Sequence, residues 1–392
     1  MSKILGIFTG LSFVVILLGI NRGFDFSDEG LYLLLADPNQ QNLGGVFNYD
    51  LFFKLFYQIT GIQFGIIGLR VLRLLSYSAG AFCLVDFWRN LHQTQTVSLP
   101  VFFLCLSGLF AGYGFLPPSL SYNSLSVVAI CLWLAIVSKT KLDMKDWLIL
   151  GIVFCTLFYV KITVGLLLAM LTVGYFLKIK ALQITEVFVL LSPFFLFEGL
   201  FYLLFQESGL TRMLSEFGFL HQREDYSLFS LIKYTAVGGF WVLMVGVPFW
   251  IASLAKKRGF QYYWLILTLG IIVLVTVFYA TFITSEWSHG VLLLTFAGIS
   301  WQLGSEDTSS ITSRRYLFVT TLMLLPFILH FGSNVYWMRL GIHYWVFWLL
   351  ALGILVQKKN PIFQFRYYTI ASFTSIVLVT FGIWLSPFEG PF

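Results

Sequence analysis

The stretch Phe24-Asp25-Phe26-Ser27-Asp28-Glu29-Gly30-Leu31-Tyr32 holds three carboxylates within five residues, flanked by aromatic side chains. A carboxylate can take the proton from a hydroxyl nucleophile, and partial desolvation at a membrane interface makes it a better base. The same residues can serve the backbone instead. Ser27 or Asp28 is suited to cap a helix that starts near Glu29. The two roles are compatible, so residue type and spacing leave both open for Asp25, Asp28 and Glu29.

Other polar groups are sparser. Asn48-Tyr49-Asp50 precedes an apolar stretch that contains Lys54, and Asp50 is a second candidate cap. Arg70 and Arg73 lie three apart on one helix face, where a guanidinium can bind a phosphate. For Arg73 the plainer expectation is snorkelling to lipid headgroups. Lys161 interrupts a long apolar run, and its ammonium can pair with a lipid phosphate where water is scarce. Pro117-Pro118-Ser119-Leu120-Ser121-Tyr122-Asn123 reads as a rigid turn and helix cap. Glu286-Trp287-Ser288-His289, and Asn334 to Arg339 with His343, lie between late apolar runs, where aromatic belts account for the Trp and Tyr. No HExxH, P-loop, GxGxxG, DxD or nucleophile-elbow motif is present, which leaves a soluble nucleotide-sugar site unsupported. Acidic loops permit a divalent cation, Mg or Mn, but define no ligand set. Cys83, Cys105, Cys131 and Cys155 lack metal spacing and read as packing residues.

The elements that position these groups follow from composition. Of 392 residues 58% are hydrophobic and 11% charged, against about a quarter charged in soluble domains. The reading is an all-α polytopic membrane protein, a single transmembrane domain over 1–392. Thirteen spans are expected, at 4–20, 62–86, 98–114, 122–138, 146–160, 163–177, 184–205, 228–254, 260–283, 289–303, 316–332, 340–356 and 367–386. The division at Lys161 avoids placing a lysine at the bilayer centre. With the N-terminus in the cytoplasm, fifteen of the 24 basic residues then fall inside. Without the division, Lys256-Lys257-Arg258 and Lys358-Lys359 would be outside. The run from Ile4 to Ile20 is long for a signal peptide and reads as an uncleaved first helix. The longest outer loops are 21–61, with short amphipathic helices, and 206–227. Basic residues scattered between apolar runs exclude a nucleic-acid partner and serve as topology signals.

The chain resembles the GT-C superfamily of membrane glycosyltransferases, closest to the protein mannosyltransferase and aminoarabinose transferase branch. The likeness rests on Asp28-Glu29-Gly30-Leu31-Tyr32 after the first helix. It continues in Asn48-Tyr49-Asp50-Leu51-Phe52-Phe53 through Gly61 to Arg70, and in Gly151 through Lys161-Ile162-Thr163. It covers the first 180 residues; the remainder matches by hydropathy. Tyr49-Asp50 stands where the family often has a Pro pair. No C-terminal soluble domain is read, which implies a lipid or small glycan acceptor. The resemblance implies inverting transfer of a hexosyl or pentosyl unit from a polyprenyl-phosphate donor, on the outer face of a bacterial inner membrane. It implies Asp28 as general base, with Asp25 or Glu29 orienting it or holding a cation. Lys161, Arg70, Arg339, Tyr32, Asp50 and His343 would bind substrate.

Two rivals are a transporter or flippase of a lipid-linked sugar and a non-catalytic scaffold. A transporter calls for polar residues deep in the helices and for symmetry between halves; Glu198 is the main deep polar residue. A scaffold has no use for acidic residues packed just outside the first helix.

Overall fold

The computed structural model describes residues 2–25, 28–42, 47–115, 117–179, 183–220, 227–282, 287–305, 313–357 and 361–384, without the side chains of 177–179, 216–220 and 228. Phe26, Ser27, Glu286, Lys358 and Lys359, all used above, lie outside the described residues. Among the described residues the chain is all-helical, with no strand. In chain order the helices are α1 (Ser2–Leu18), α2 (Asp28–Ala36), α3 (Asp50–Thr60), α4 (Ile66–His92), α5 (Leu99–Phe110), α6 (Tyr122–Val137), α7 (Met144–Ile179) and α8 (Ile184–Phe205). They continue as α9 (Gly209–Leu220), α10 (Leu228–Lys257), α11 (Tyr263–Ala280), α12 (His289–Ser305), α13 (Ser313–His330), α14 (Trp337–Leu340), α15 (Trp345–Val356) and α16 (Pro361–Trp384).

Seven described helical segments are long and apolar enough to cross a membrane: α4, α7, α8, α10, α11, the run 337–356 and α16. Each of the thirteen apolar runs falls on a helix, but α1, α5, α6, α12 and α13 are only 12–18 residues long. Exposure supports lipid as the solvent. Phe229 is 77% and Leu203 76% exposed, and only 11% of the α11 window is buried although it is apolar on every face. In water such surface would drive association; in hydrocarbon it costs nothing. These helices mark an integral membrane protein.

The helices group into two compact units. The first comprises Met1–Leu18, Ser98–Leu116 and Leu231–Ser386. Its centre is α15, an all-apolar helix that is buried on almost every side by α5, α12, α13 and α16. Close approach needs small residues. A Cβ on Gly108 would lie 2.9 Å from the Val346 backbone, and one on Gly382 would strike the Tyr113 carbonyl. Buried hydroxyls tie α1, α5 and α16 together: Thr9 and Ser107 are 2.9 Å apart, and Ser375 donates to the Ser107 carbonyl at 2.7 Å.

The second unit comprises Gly19–Val97 and Pro117–Ser230, and it contains every part of the Asp-rich loop. Its helices α4, α6, α7 and α8 pack in that sequence. Helix α7 is not straight. Lys161 leaves the helical conformation (φ −158°, ψ 87°). A straight helix would separate Trp147 from Phe176 by about 43 Å, yet their rings stand 4.8 Å apart. The two halves are therefore antiparallel and reverse at Lys161, as the sequence division anticipates. The Tyr159 carbonyl, which a continuous helix would use internally, accepts from the Asn48 backbone N–H at 2.9 Å. Gly165 lets the halves meet, since its Cβ would sit 3.3 Å from Leu157.

Pro193 interrupts α8 without opening it. The Val189 carbonyl that loses its partner accepts from Ser192 Oγ at 2.9 Å. Opposite Pro193, Gly151 gives α7 and α8 their contact, and a Cβ there would strike the Leu190 carbonyl and reach 2.9 Å from Pro193 Cγ. Gly151→Val is expected to destabilise the protein by at least about 1–3 kcal/mol, the cost of an overpacked interface. Thermal unfolding in detergent checks this; an unchanged midpoint would mean that α7 and α8 do not pack this closely.

Candidate functional site

The second unit separates the three carboxylates of the Asp-rich loop by environment. Glu29, in the first turn of α2, is 1% exposed. Arg70 of α4 grips it with two bonds, Nε to Oε1 at 3.0 Å and Nη2 to Oε2 at 2.7 Å. The remaining Arg70 donors go to carbonyls: Nη1 to Ile20 and Arg22, each at 2.8 Å, and Nη2 to Gly23. A guanidinium has five N–H donors, and all five are used within this unit. Ser119 Oγ also donates to Glu29. Arg70 is thus committed to its own chain and has no donor left for a substrate phosphate. Glu29 is likewise the counter-ion of Arg70 and not a base. Both leave the candidate set.

Asp25 takes the capping task expected of Ser27 or Asp28, its Oδ1 accepting from the Asp28 backbone N–H at 3.3 Å. The Asp25 carbonyl also accepts from Gly30 N–H at 3.1 Å. Asp28 is exposed at the start of α2. Of the three, it alone is exposed.

Asp50 is no helix cap and no surface ligand. The cap position of α3 belongs to Tyr49, without a side-chain capping bond. Asp50 is 2% exposed, and Arg212 of α9 holds it with Nη1 to Oδ1 at 2.7 Å and Nη2 to Oδ2 at 3.0 Å. Asn42 Nδ2 adds a bond at 3.2 Å. Arg212 Nε also reaches Glu207 at 3.0 Å, and Lys54 Nζ reaches Glu207 at 3.0 Å and Asp50 at 3.8 Å. Two acids and two bases thereby clamp α3 to α9. Burial acts to raise the Glu207 carboxyl, but the Arg212 and Lys54 bonds outweigh it and hold the group below the ordinary carboxylate range.

Arg73 does not snorkel. It is fully buried, donates from Nη1 to the Pro117 carbonyl at 2.6 Å, and lies 5.1 Å over the Tyr77 ring. With Ser119 held by Glu29 and Leu120 N–H bound to the Leu69 carbonyl at 3.2 Å, the Pro117–Ser121 turn is fixed against α4. Ser121 then opens α6 with a reciprocal capping box, its Oγ accepting from Ser124 N–H at 3.2 Å and its N–H donating to Ser124 Oγ at 2.7 Å. This places Tyr122 at the first position of α6.

Around Tyr122 the retained candidates come together. Lys161 is 6% exposed, and its ammonium lies 5.6 Å over the Tyr122 ring, a cation–π contact. Phe47 stacks on Tyr122 at 4.5 Å, and Tyr32 meets it edge-on at 6.1 Å. Burial pushes the Tyr32 phenol well above its ordinary value, and Tyr122, Asp28 and Tyr49 push the same way. Asp28 stands four residues before Tyr32 on α2, on the same helix face, and Tyr32 in turn meets the Tyr122 platform of Lys161. Tyr49 completes the group. It is buried, and its hydroxyl makes no hydrogen bond among the described residues. Sequence reasoning missed Tyr122 as a cation platform, the Tyr49 hydroxyl and the Arg212 clamp. The aromatic residues between polar motifs were the only signal for the first two.

Glu198 is satisfied rather than free for transport. It accepts from Tyr159 OH at 2.5 Å and from Leu210 N–H, at the start of α9, at 3.2 Å. Arg339 and His343 belong to the first unit, where the Arg339 guanidinium lies 5.7 Å over the Phe115 ring and His343 meets the same ring edge-on at 5.6 Å. His289 bonds the Phe278 carbonyl at 3.2 Å and stacks on that ring. Among the described residues no three His, Cys, Asp or Glu side chains converge as a metal site. No protein family, curated protein or solved structure matches the chain.

Removing one partner of a buried, doubly bonded ion pair costs about 3–5 kcal/mol. Arg70→Lys is expected to fall in that range despite keeping the charge, because three donors cannot replace five in a fixed fork. Unfolding midpoints of Arg70→Lys, Glu29→Gln and the exposed control Asp28→Asn measure this; only the control should match the parent.

Proposed function

We propose that the protein is a glycosyltransferase of the GT-C type, moving a sugar from a polyprenyl-phosphate donor to a lipid or glycan hydroxyl on the extracytoplasmic face. The observation that carries the reading is the Asp28–Tyr32–Tyr122–Lys161 group, which brings an exposed carboxylate and a buried ammonium to one aromatic cluster. Thirteen spans with the N-terminus inside, in a bacterial inner membrane, are part of the same proposal. In that topology the reversal at Lys161 and the Asp-rich loop share the outer surface.

The step would run as follows. Asp28 accepts the proton of the acceptor hydroxyl as its oxygen bonds to the anomeric carbon. The bond from that carbon to the phosphate oxygen breaks, and the polyprenyl phosphate leaves with the electron pair. Lys161 offsets the charge that grows on the phosphate, in a place where water is scarce. In-line attack inverts the anomeric centre. Tyr32, one turn along α2 from Asp28, and the Tyr49 hydroxyl are suited to hold the sugar. The step uses residues of the second unit, and neither Arg339 nor His343 is given a part. No cation is needed to balance it.

The test is turnover of labelled polyprenyl-phosphate sugars by the purified protein. Asp28→Asn should lower turnover by about 10²–10⁴-fold, the worth of a general base, with donor binding retained. Lys161→Ala should mainly weaken donor binding. If no donor is consumed but labelled donor crosses reconstituted bilayers only when the protein is present, the transferase reading gives way to a flippase.

A further inference from the structure

Glu198 of α8 is 9% exposed and has no part in the step above. It makes no ion pair among the described residues. A carboxylate in so apolar a place needs its oxygens hydrogen-bonded, and two donors do this: Tyr159 OH to Oε1 at 2.5 Å, and Leu210 N–H, in the first turn of α9, to Oε2 at 3.2 Å. The positive end of α9 offsets part of the charge. Joining α8 to α7 does not call for this carboxylate. Gly151 against Pro193, and Phe158 edge-on to Phe194 at 4.7 Å, already pack the two helices together, and apolar residues stabilise as well as buried charges do. What Glu198 adds is a fixed position for the groups it bonds.

Tyr159 is the more consequential of the two, because the chain leaves the helix just after it, at Lys161 (φ −158°, ψ 87°). Its hydroxyl is held by Glu198. Its ring stands edge-on to Phe52 at 5.2 Å and to Phe201 at 5.4 Å. Its carbonyl accepts from Asn48 N–H at 2.9 Å. These contacts close into a ring. Glu198 bonds the start of α9, Arg212 of α9 grips Asp50, Asp50 shares a segment with Asn48, and Asn48 returns to Tyr159. Whatever fixes Tyr159 fixes where the first half of α7 ends. It thereby fixes the place from which the Lys161 ammonium reaches the Tyr122 ring.

We propose that Glu198 is a positioning residue for Lys161, acting through the Tyr159 hydroxyl to set the end of the helix that presents the ammonium to Tyr122. That Lys161 there meets a donor phosphate rests on the transferase reading; its placement does not.

Acetic anhydride labelling of the purified full chain, read by peptide mass spectrometry, measures that placement without reference to turnover. In the parent, Lys161, 6% exposed, should be acylated far more slowly than exposed Lys233. Tyr159→Phe removes the hydroxyl and leaves the Glu198 bond to α9 in place. It should raise Lys161 acylation about tenfold, the worth of one hydrogen bond to a charged group, with buried Lys54 unchanged. Glu198→Leu should raise it as much. Glu198→Gln, whose amide oxygen still accepts from Tyr159, should restore the parent rate. In turnover of polyprenyl-phosphate sugar, Tyr159→Phe should raise the donor KM about tenfold with little change in kcat. Unaltered Lys161 acylation in Tyr159→Phe and Glu198→Leu, or a rise confined to Lys54, overturns the proposal and leaves Glu198 as an anchor of α9 alone. A parent that consumes no donor overturns the transferase reading, while the acylation rates still decide what places Lys161.

Discussion

The second unit depends on one buried guanidinium. Arg70 spends five donors on Glu29 and on three successive parts of the segment that follows α1. A charge in such a place is tolerable only when fully paired and hydrogen-bonded. That requirement fixes the course of residues 20–23, the first turn of α2 and, through Ser119, the turn that leads into α6. Asp28 is exposed because its neighbour Glu29 is pulled inward. The neighbours of a helix's first turn point in different directions, so burying one presents the other.

A second constraint meets the first at Tyr122. A lysine in a long apolar run cannot stay in the middle of a straight helix without cost, and here the chain reverses at it. The reversal frees backbone groups, and the loop before α3 supplies Asn48 N–H to the Tyr159 carbonyl. That single bond connects the helix break to the segment carrying Tyr49 and Asp50. The Asp50–Arg212 clamp then fixes α3 against α9. Three separate polar devices therefore hold one aromatic cluster in place. Each lies in a region where apolar packing alone would leave the register of the helices undetermined.

The first unit works differently. Its interior is held by a helix buried all round and by small residues that let backbones touch, at Gly108 and Gly382. Lipid supplies no hydrophobic drive between helices, so close packing and a few hydroxyl bonds supply the association. Buried His330 has both of its ring nitrogens satisfied. Its Nδ1 faces Thr235 Oγ1 at 2.9 Å and its Nε2 the Val335 carbonyl at 2.7 Å, which requires the proton on Nε2.

The sequence by itself determined the helical membrane class, the positions of the apolar runs and the break at Lys161, because each follows from a local rule: the apolarity that lipid demands, or the cost of a charge within it. It also singled out the Asp-rich loop as the densest polar group. It could not rank Asp25, Asp28 and Glu29, which are chemically near-identical and adjacent in the chain. Only the tertiary structure decided that Glu29 answers Arg70, that Asp25 serves the turn and that Asp28 stays outside. The same holds for Asp50, whose partner Arg212 lies 162 residues away, and for Tyr122, which read as part of a turn. Partners that distant leave no periodic trace, since pairing depends on how helices pack and not on spacing along any one of them. The division into two units was equally invisible, because each is assembled from separated stretches of an evenly apolar chain.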